Sequence, residues 1–269
     1  MSPLSCLVRV LKRHQPLALA FSGGVDSSCL AAVCALHRID FAAFTLAGPH
    51  ITGHELKKVL AFRRRYAFHH LFLHFDYRLY PDIVLNSRER CFHCKDKIFS
   101  LAGGFFSRSF MLADGTSCSD LNQYRPGLAA LQKHRVLSPF VLAGLGRNEV
   151  HKLAENLGLN MDGFSRSCVL CRFPYGRPLE YELVLKVRNA ENFLLEKKIT
   201  GFRLRMPEPD RYLLQIDPKF KSRFRDIGED FAVYLQKNQI NQPRLEFKRF
   251  DRITGYYDPK PARDCKFGT

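Results

Sequence analysis

The sequence predicts an α/β fold: a doubly wound parallel sheet followed by a smaller C-terminal α+β region. Three observations carry this expectation. Short apolar runs alternate with stretches of helical period through the first part of the chain. A glycine- and serine-rich turn joins the first apolar run to the first helix. After about residue 175 the order changes, to one amphipathic helix and then strand-like segments.

Leu17–Phe21 is apolar throughout and precedes a glycine pair, as a buried parallel strand does. Val25–His37 carries Leu30, Ala31, Cys34 and Ala35 at helical spacing. Asp40–Leu46 reads as a second strand, Gly53–Tyr66 as a helix with Leu56, Val59 and Leu60 on one side, and Phe68–Phe75 as a third strand. A polar loop from Tyr80 to Arg90 leads into a cysteine pair, and Ser109–Ala113 is a fourth strand. Arg147–Leu157 is a helix stopped by Gly158. Strands alternating with helices imply a parallel sheet covered on both faces, with ligands at the carboxyl ends of the strands. Leu179–Lys197 then reads as one helix, Gly201–Met206 and Arg211–Ile216 as an antiparallel hairpin, and Leu245–Phe250 as a further strand. The division expected is residues 1–177 and 178–269.

The composition, 46% hydrophobic and 25% charged over 269 residues, excludes a disordered or low-complexity chain. No run of apolar residues reaches the length of a membrane span. Arg9, Lys12, Arg13 and His14 interrupt the first apolar stretch, so it is not read as an export signal and the expectation is a cytoplasmic protein. Forty-two basic residues against 26 acidic ones leave a net charge of +16, which favours anionic partners without choosing among them. Nine cysteines in such a chain read as thiols, metal ligands or nucleophiles rather than disulfides. Four of them form two C-x-x-C pairs, Cys91 with Cys94 and Cys168 with Cys171.

The strongest motif is Ser22-Gly23-Gly24-Val25-Asp26-Ser27-Ser28, between the first strand and the first helix. Two glycines let backbone approach an anion, and the helix start offers unpaired N–H groups to phosphate oxygens. Ser22, Ser27 and Ser28 add hydroxyl donors, and Asp26 suits a phosphate site that also holds Mg²⁺. The loop is neither a Walker loop nor a dinucleotide fingerprint. It resembles the PP-loop signature of the N-type ATP pyrophosphatases, which cleave ATP between its α and β phosphates and form an adenylated substrate.

Further segments narrow the resemblance. Arg90-Cys91-Phe92-His93-Cys94-Lys95, Ala113-Asp114-Gly115-Thr116, Asp120, Tyr124-Arg125-Pro126-Gly127 and Arg172-Phe173-Pro174-Tyr175-Gly176 occur in this order. Together they are similar to the ATP-dependent sacrificial sulfur transferases that mature the nickel-pincer nucleotide cofactor of lactate racemase. That resemblance implies ATP and Mg²⁺, adenylation of a carboxylate of pyridinium-3,5-biscarboxylate mononucleotide, and attack by a cysteine thiolate. Cβ–S cleavage then leaves dehydroalanine in the protein.

By position Cys168 matches the sacrificial cysteine, with Arg166 and Arg172 as neighbouring positive charges that would depress its pKa. Arg203 and Arg205 resemble the family's paired-arginine strand and would clamp a substrate phosphate; a solvated basic hairpin face fits them nearly as well. Glu191 matches an active-site helix position, and an ordinary exposed helical glutamate fits it equally. Asp114, Thr116, Asp120, Arg125 and Gly127 are expected at ATP or its Mg²⁺, and Thr45 is counted with them. Cys91, Cys94, Cys168 and Cys171 are the ligands for a 4Fe–4S cluster of the kind found in tRNA thiolases of the same superfamily. A Zn²⁺ site and four free thiols remain the alternatives. The favoured partner is an anionic nucleotide, with homo-oligomers implied by the resemblance. tRNA comes second, on the basic stretch Lys197 to Arg225 with its interleaved aromatics. A scaffold that keeps the loop but not the chemistry is the third reading.

Overall fold

The computed structural model describes residues 2–106, 109–159 and 167–258. In the first part of the chain run α1 (Pro3–His14), β1 (Leu17–Ala20), α2 (Val25–Leu36), β2 (Phe41–Ala47), α3 (Gly53–Tyr66), β3 (His69–His74), α4 (Pro81–Val84), α5 (Arg90–Phe105) and β4 (Met111–Ala113). They are followed by α6 (Cys118–Leu121), α7 (Gly127–Lys133), α8 (Pro139–Leu142) and α9 (Arg147–Asn156). The four strands form a parallel sheet in the order β3-β2-β1-β4, as the alternation of periods predicts. Chain order reverses between β1 and β4, so a crevice opens at their carboxyl ends.

The predicted strands and helices of this part are present, most of them shorter by a residue or two at their ends. α1 and α4 to α8 are additions, α4 falling inside the expected polar loop. α1 follows from Leu4, Leu7, Val8 and Leu11, which recur at helical spacing and pack on the main core, with Ser2 as N-cap and Pro3 at the first position. α5 begins where the polar loop ends and carries the first cysteine pair.

The second sheet has β5 (Phe202–Glu208), β6 (Arg211–Ile216) and β7 (Arg244–Phe247). β5 and β6 form the predicted antiparallel hairpin, with a register shift between Arg205 and Glu208. β7 runs parallel to β6 and ends three residues before the expected Phe250. α10 (Tyr181–Glu196) packs on this sheet, and α11 (Lys221–Asp226) and α12 (Gly228–Lys237) lie between β6 and β7 in sequence. All of Phe202 to Met206 is buried, as in a strand covered on both faces.

The core around this sheet also takes Phe75, Tyr77 and Ile83 from the end of β3 and from α4. Asn86 explains the join. Fully buried, it donates through Nδ2 to the carbonyls of Pro174 (2.8 Å) and Arg177 (3.0 Å), while Gly176 N donates to its carbonyl at 2.9 Å. The Tyr80–Arg90 segment is therefore tied to the second cysteine loop by two side-chain-to-backbone bonds and one backbone bond.

Candidate functional site

The crevice at the ends of β1, β2 and β4 holds a cavity of about 340 Å³. One end is polar and built on the loop after β1. Gly23 has φ +70°, a conformation that side chains with a Cβ resist, and this turns the chain into α2. The N-cap of α2 is Gly24, with no side-chain cap, so the first amides of the helix keep their donors for a ligand. The serines hold the loop's shape instead. Ser27 Oγ accepts from Ser22 N at 3.3 Å, donates to the Gly24 carbonyl at 3.3 Å and lies 3.2 Å from Ser22 Oγ. Ser28 Oγ is buried without a partner among the described residues.

Ser22, Asp26, Ser27, Thr45, Asp114, Thr116, Asp120 and Arg125 all line the cavity, so eight of the twelve residues expected at a nucleotide meet there. Gly23, Gly24 and Ser28 belong to the adjoining loop and helix start. Gly127 does something else: a Cβ there would lie 2.8 Å from Lys95 Cδ and 3.3 Å from the Cys91 carbonyl, so it lets α7 close on α5. Gly115 has the comparable role at the loop, where a Cβ would meet Asp26 Cβ and Ser27 N at 3.2 Å each.

Asp114 is fixed by Thr116 N (3.1 Å), Thr116 Oγ1 (2.6 Å) and Ser138 Oγ (2.8 Å), with Lys95 Nζ at 3.7 Å. Asp120 accepts from Ser117 and pairs with Arg125 (2.7 Å) and Arg147 (3.2 Å). Asp26 has its pKa raised by burial and then by the Asp120 charge, against His151, Arg147 and Arg125. Among the described residues no group of three or more His, Cys, Asp or Glu side chains is arranged to hold a metal ion. A half-buried carboxylate raised by the charge of another is what a cation carried in on phosphates would relieve. Mg²⁺ bound through one carboxylate and its nucleotide needs no protein cage, so Asp26 fits that ion.

α5 connects this cavity with the thiols. Lys95, Ile98 and Phe99 form part of the cavity wall, while Cys91 and Cys94, at helical spacing from them, face the second cysteine loop. Arg90 is the centre of that cluster. It is buried, bonded to Asn86 Oδ1 and the Leu170 carbonyl (3.0 Å), and its Nη2 lies 3.1 Å from Cys171 Sγ and 3.7 Å from Cys91 Sγ.

The electrostatics differ from the expectation for Cys168. Its thiol is pushed up by burial and then by the neighbouring Cys171, while Cys171 is pulled down to about 5. The causes at Cys171 are a hydrogen bond from Cys91 first, then the Arg90 and Arg172 charges, which together outweigh burial. Burial also raises Cys94, to about 12.

Arg172 does not serve Cys168 as a free charge, because Glu191 holds it: Nε to Oε1 at 2.6 Å and Nη2 to Oε2 at 3.1 Å, both side chains buried. Arg166 lies outside the described residues. Burial acts to raise the Glu191 pKa, but Arg172, Arg203 and the Leu204 N–H (3.0 Å) bring it below the usual carboxylate range.

Glu191 is therefore not an exposed helical residue, nor are Arg203 and Arg205 a solvated face; all three are at most 3% exposed. Arg205 is committed to Gln215 Oε1 (3.1 Å) and the carbonyls of Cys171 (3.4 Å) and Ile253, and it stacks on Tyr256 at 4.7 Å. Arg203 donates to the Phe202 carbonyl at 2.7 Å and lies over Phe250. Among the described residues, the guanidiniums of Arg90, Arg172, Arg203 and Arg205 thus lie around the second cysteine loop with the carboxylates of Glu191 and Asp258, the latter accepting from Tyr175 Oη at 2.9 Å. Arg90, Lys95 and Arg147 were given no site role from the sequence; Arg90 and Lys95 end the quoted motif of the first cysteine pair, and Arg147 opens the predicted helix Arg147–Leu157.

Fold and crevice define the class: a doubly wound α/β protein with a glycine–serine loop at the switch point of its sheet. No family model matches the chain. It is 26% identical over 184 residues to an uncharacterized protein of Methanocaldococcus jannaschii, covering 68% of this chain and 70% of that one. It is 28% identical over 229 residues to an uncharacterized protein of Synechocystis, covering 82% and 84%. With the pyridinium-3,5-bisthiocarboxylic acid mononucleotide synthase of Lactiplantibacillus plantarum it shares 30% identity over 193 residues, 70% of each chain. The chain belongs to the family of that synthase, the nickel-pincer cofactor sulfur transferases.

Proposed function

We propose that the protein is an ATP-dependent sulfur transferase acting on pyridinium-3,5-biscarboxylate mononucleotide. The observation that carries this reading is one helix, α5, lining both a phosphate-type cavity and a cluster of four thiols. A carboxylate oxygen of the substrate attacks the α-phosphorus of ATP, the bond to the β-phosphate breaks and pyrophosphate leaves. The loop amides at Gly24 to Ser27, with Lys95, oppose the charge on the phosphates. Asp26 would hold Mg²⁺ together with the phosphates, and the ion would supply further charge neutralisation there.

The acyl adenylate is then attacked by a cysteine thiolate, and AMP departs from the carbonyl carbon. Loss of the cysteine Cα proton with Cβ–S cleavage leaves a thiocarboxylate on the substrate and dehydroalanine in the chain. The resemblance assigns the donor to Cys168. Cys171 lies in the same turn and is the more acidic thiol. The Arg172–Glu191 pair fixes the carbonyl of Ser167 and so the approach to Cys168 (Arg172 Nη2 to Ser167 O, 3.2 Å). Arg203 and Arg205 give the surroundings of the thiols a net positive charge suited to a nucleotide phosphate. The expectation of an iron–sulfur cluster rests on the two C-x-x-C pairs together with the resemblance, and no step is routed through it.

Incubation with Mg-ATP and the pyridinium substrate, followed by intact-mass analysis, tests the reading. AMP and pyrophosphate should appear together with loss of one H₂S from Cys168. Asp26→Asn should abolish both, whereas Cys168→Ala should still release pyrophosphate and form the acyl adenylate. Normal sulfur transfer by Cys168→Ala, or no pyrophosphate from the wild type, would overturn it. The net charge of +16 favours a second reading, a tRNA-modifying adenylase. Under that reading tRNA co-purifies and dissociates steeply with salt. Self-association, implied by the resemblance, is read by light scattering.

A further inference from the structure

We propose that Thr45 is a specificity-determining residue: the Phe21 carbonyl holds its proton and His70 occupies one lone pair, so the hydroxyl offers the cavity only an acceptor, and the site thereby selects a purine with an exocyclic amino group over one with a carbonyl at the same carbon. The inference rests on the nucleotide reading above and adds to it how the base is chosen.

A threonine hydroxyl has one proton and two lone pairs. Thr45 Oγ1 donates to the Phe21 carbonyl across the β1–β2 pair, and since a carbonyl has no proton to give, the proton in that bond is the threonine's. His70 Nε2 lies 2.8 Å from the same oxygen. With the threonine proton already engaged, His70 is the donor, and its ring carries hydrogen on Nε2. One lone pair of Thr45 is left.

The ring has little freedom to change this. It packs edge-on against Phe72 at 4.7 Å, Phe21 at 6.2 Å and Phe68 at 6.3 Å. Burial, and then the Arg63 charge, push its pKa down to about 4, so it remains the neutral tautomer near neutral pH.

Thr45 lines the cavity among Phe44, Leu46, Leu56, Val59 and Phe99, an apolar wall suited to the faces of a flat base. A hydroxyl there with only acceptor capacity meets a ligand amino group as a hydrogen-bond partner. Against a ligand carbonyl it sets lone pair against lone pair, and both are left unpaired away from water.

Calorimetric titration with Mg-ATP and with Mg-ITP, which differ in that amino group and carbonyl, tests the assignment. Wild type should bind ATP about tenfold more tightly than ITP, the value of one hydrogen bond. Thr45→Ser should keep that ratio, and Thr45→Val should bring it close to one while triphosphate binding persists. The ratio is read within each variant, so a smaller folded fraction leaves it unmoved. Equal binding of both nucleotides by wild type, or an unchanged ratio in Thr45→Val, would overturn the proposal while leaving the nucleotide reading intact. Binding of neither nucleotide would overturn both.

Discussion

Among the described residues Glu191 is the only carboxylate bonded to Arg172, and Arg172 is as buried as it is. Removing one member of such a pair leaves the other charge in low dielectric, so Glu191→Gln should cost about 3–5 kcal/mol in urea denaturation. The pH dependence has a definite sign. Glu191 has a folded-state pKa below its unfolded one, so its stabilisation is complete above the unfolded value, about 4.3, and is lost as pH falls towards the folded value. The stability gap between wild type and Glu191→Gln should therefore shrink on acidification. Cys171 gives a second test at this scale. Its thiol is drawn to about 5, so alkylation of Cys171 should plateau well below the pH that ordinary thiols require. Cys91→Ala, which removes the leading cause, should shift that profile upward, and an unchanged profile would assign the acidity to the arginines alone.

At the scale of elements, the loop and α2 depend on close backbone approach. Gly115 lies at the end of β4, yet its absent Cβ makes room for Asp26 and Ser27 at the start of α2. Gly115→Ala forces backbone to move rather than a side chain. It should cost about 1–3 kcal/mol of ligand binding, roughly tenfold or more in ATP affinity, with a smaller change in melting temperature. α5 is the other decisive element. Its register puts Lys95 beside Asp114 and Cys91 beside Cys171, so a shift of one residue would separate both contacts.

On the scale of the molecule, two cores meet near the site. The second is built from α10 and β5–β6 but includes Phe75, Tyr77 and Ile83 from the first part of the chain. Leu204 is fully buried there, its side chain on the strand face opposite Arg203 and Arg205. Leu204→Ala should destabilise by about 2–5 kcal/mol. Because Leu204 N also binds Glu191, sulfur transfer by this variant should fall further than ATP cleavage, and equal losses would show that the core does not position the thiols. Among the described residues no helix is long and apolar enough to cross a membrane.

The order and type of most elements, the hairpin and the phosphate-type loop were legible in the amino-acid order, because periodicity and glycine placement are local properties. α1 was legible too, in Leu4, Leu7, Val8 and Leu11. The convergence of Ser22, Thr45, Asp114 and Arg125 followed from the rule that strand ends share one crevice. What no local pattern contained was the charge assignment around the thiols. Cys168 and Cys171 are three residues apart in one turn, yet burial raises one and Cys91 with Arg90, some eighty positions away in sequence, lowers the other. Burial and pairing are sums over neighbours that only the folded chain brings within a few ångströms. The same holds for Glu191, Arg203 and Arg205: as letters they suit a solvated surface, and packing of α10 on β5 made them an interior network.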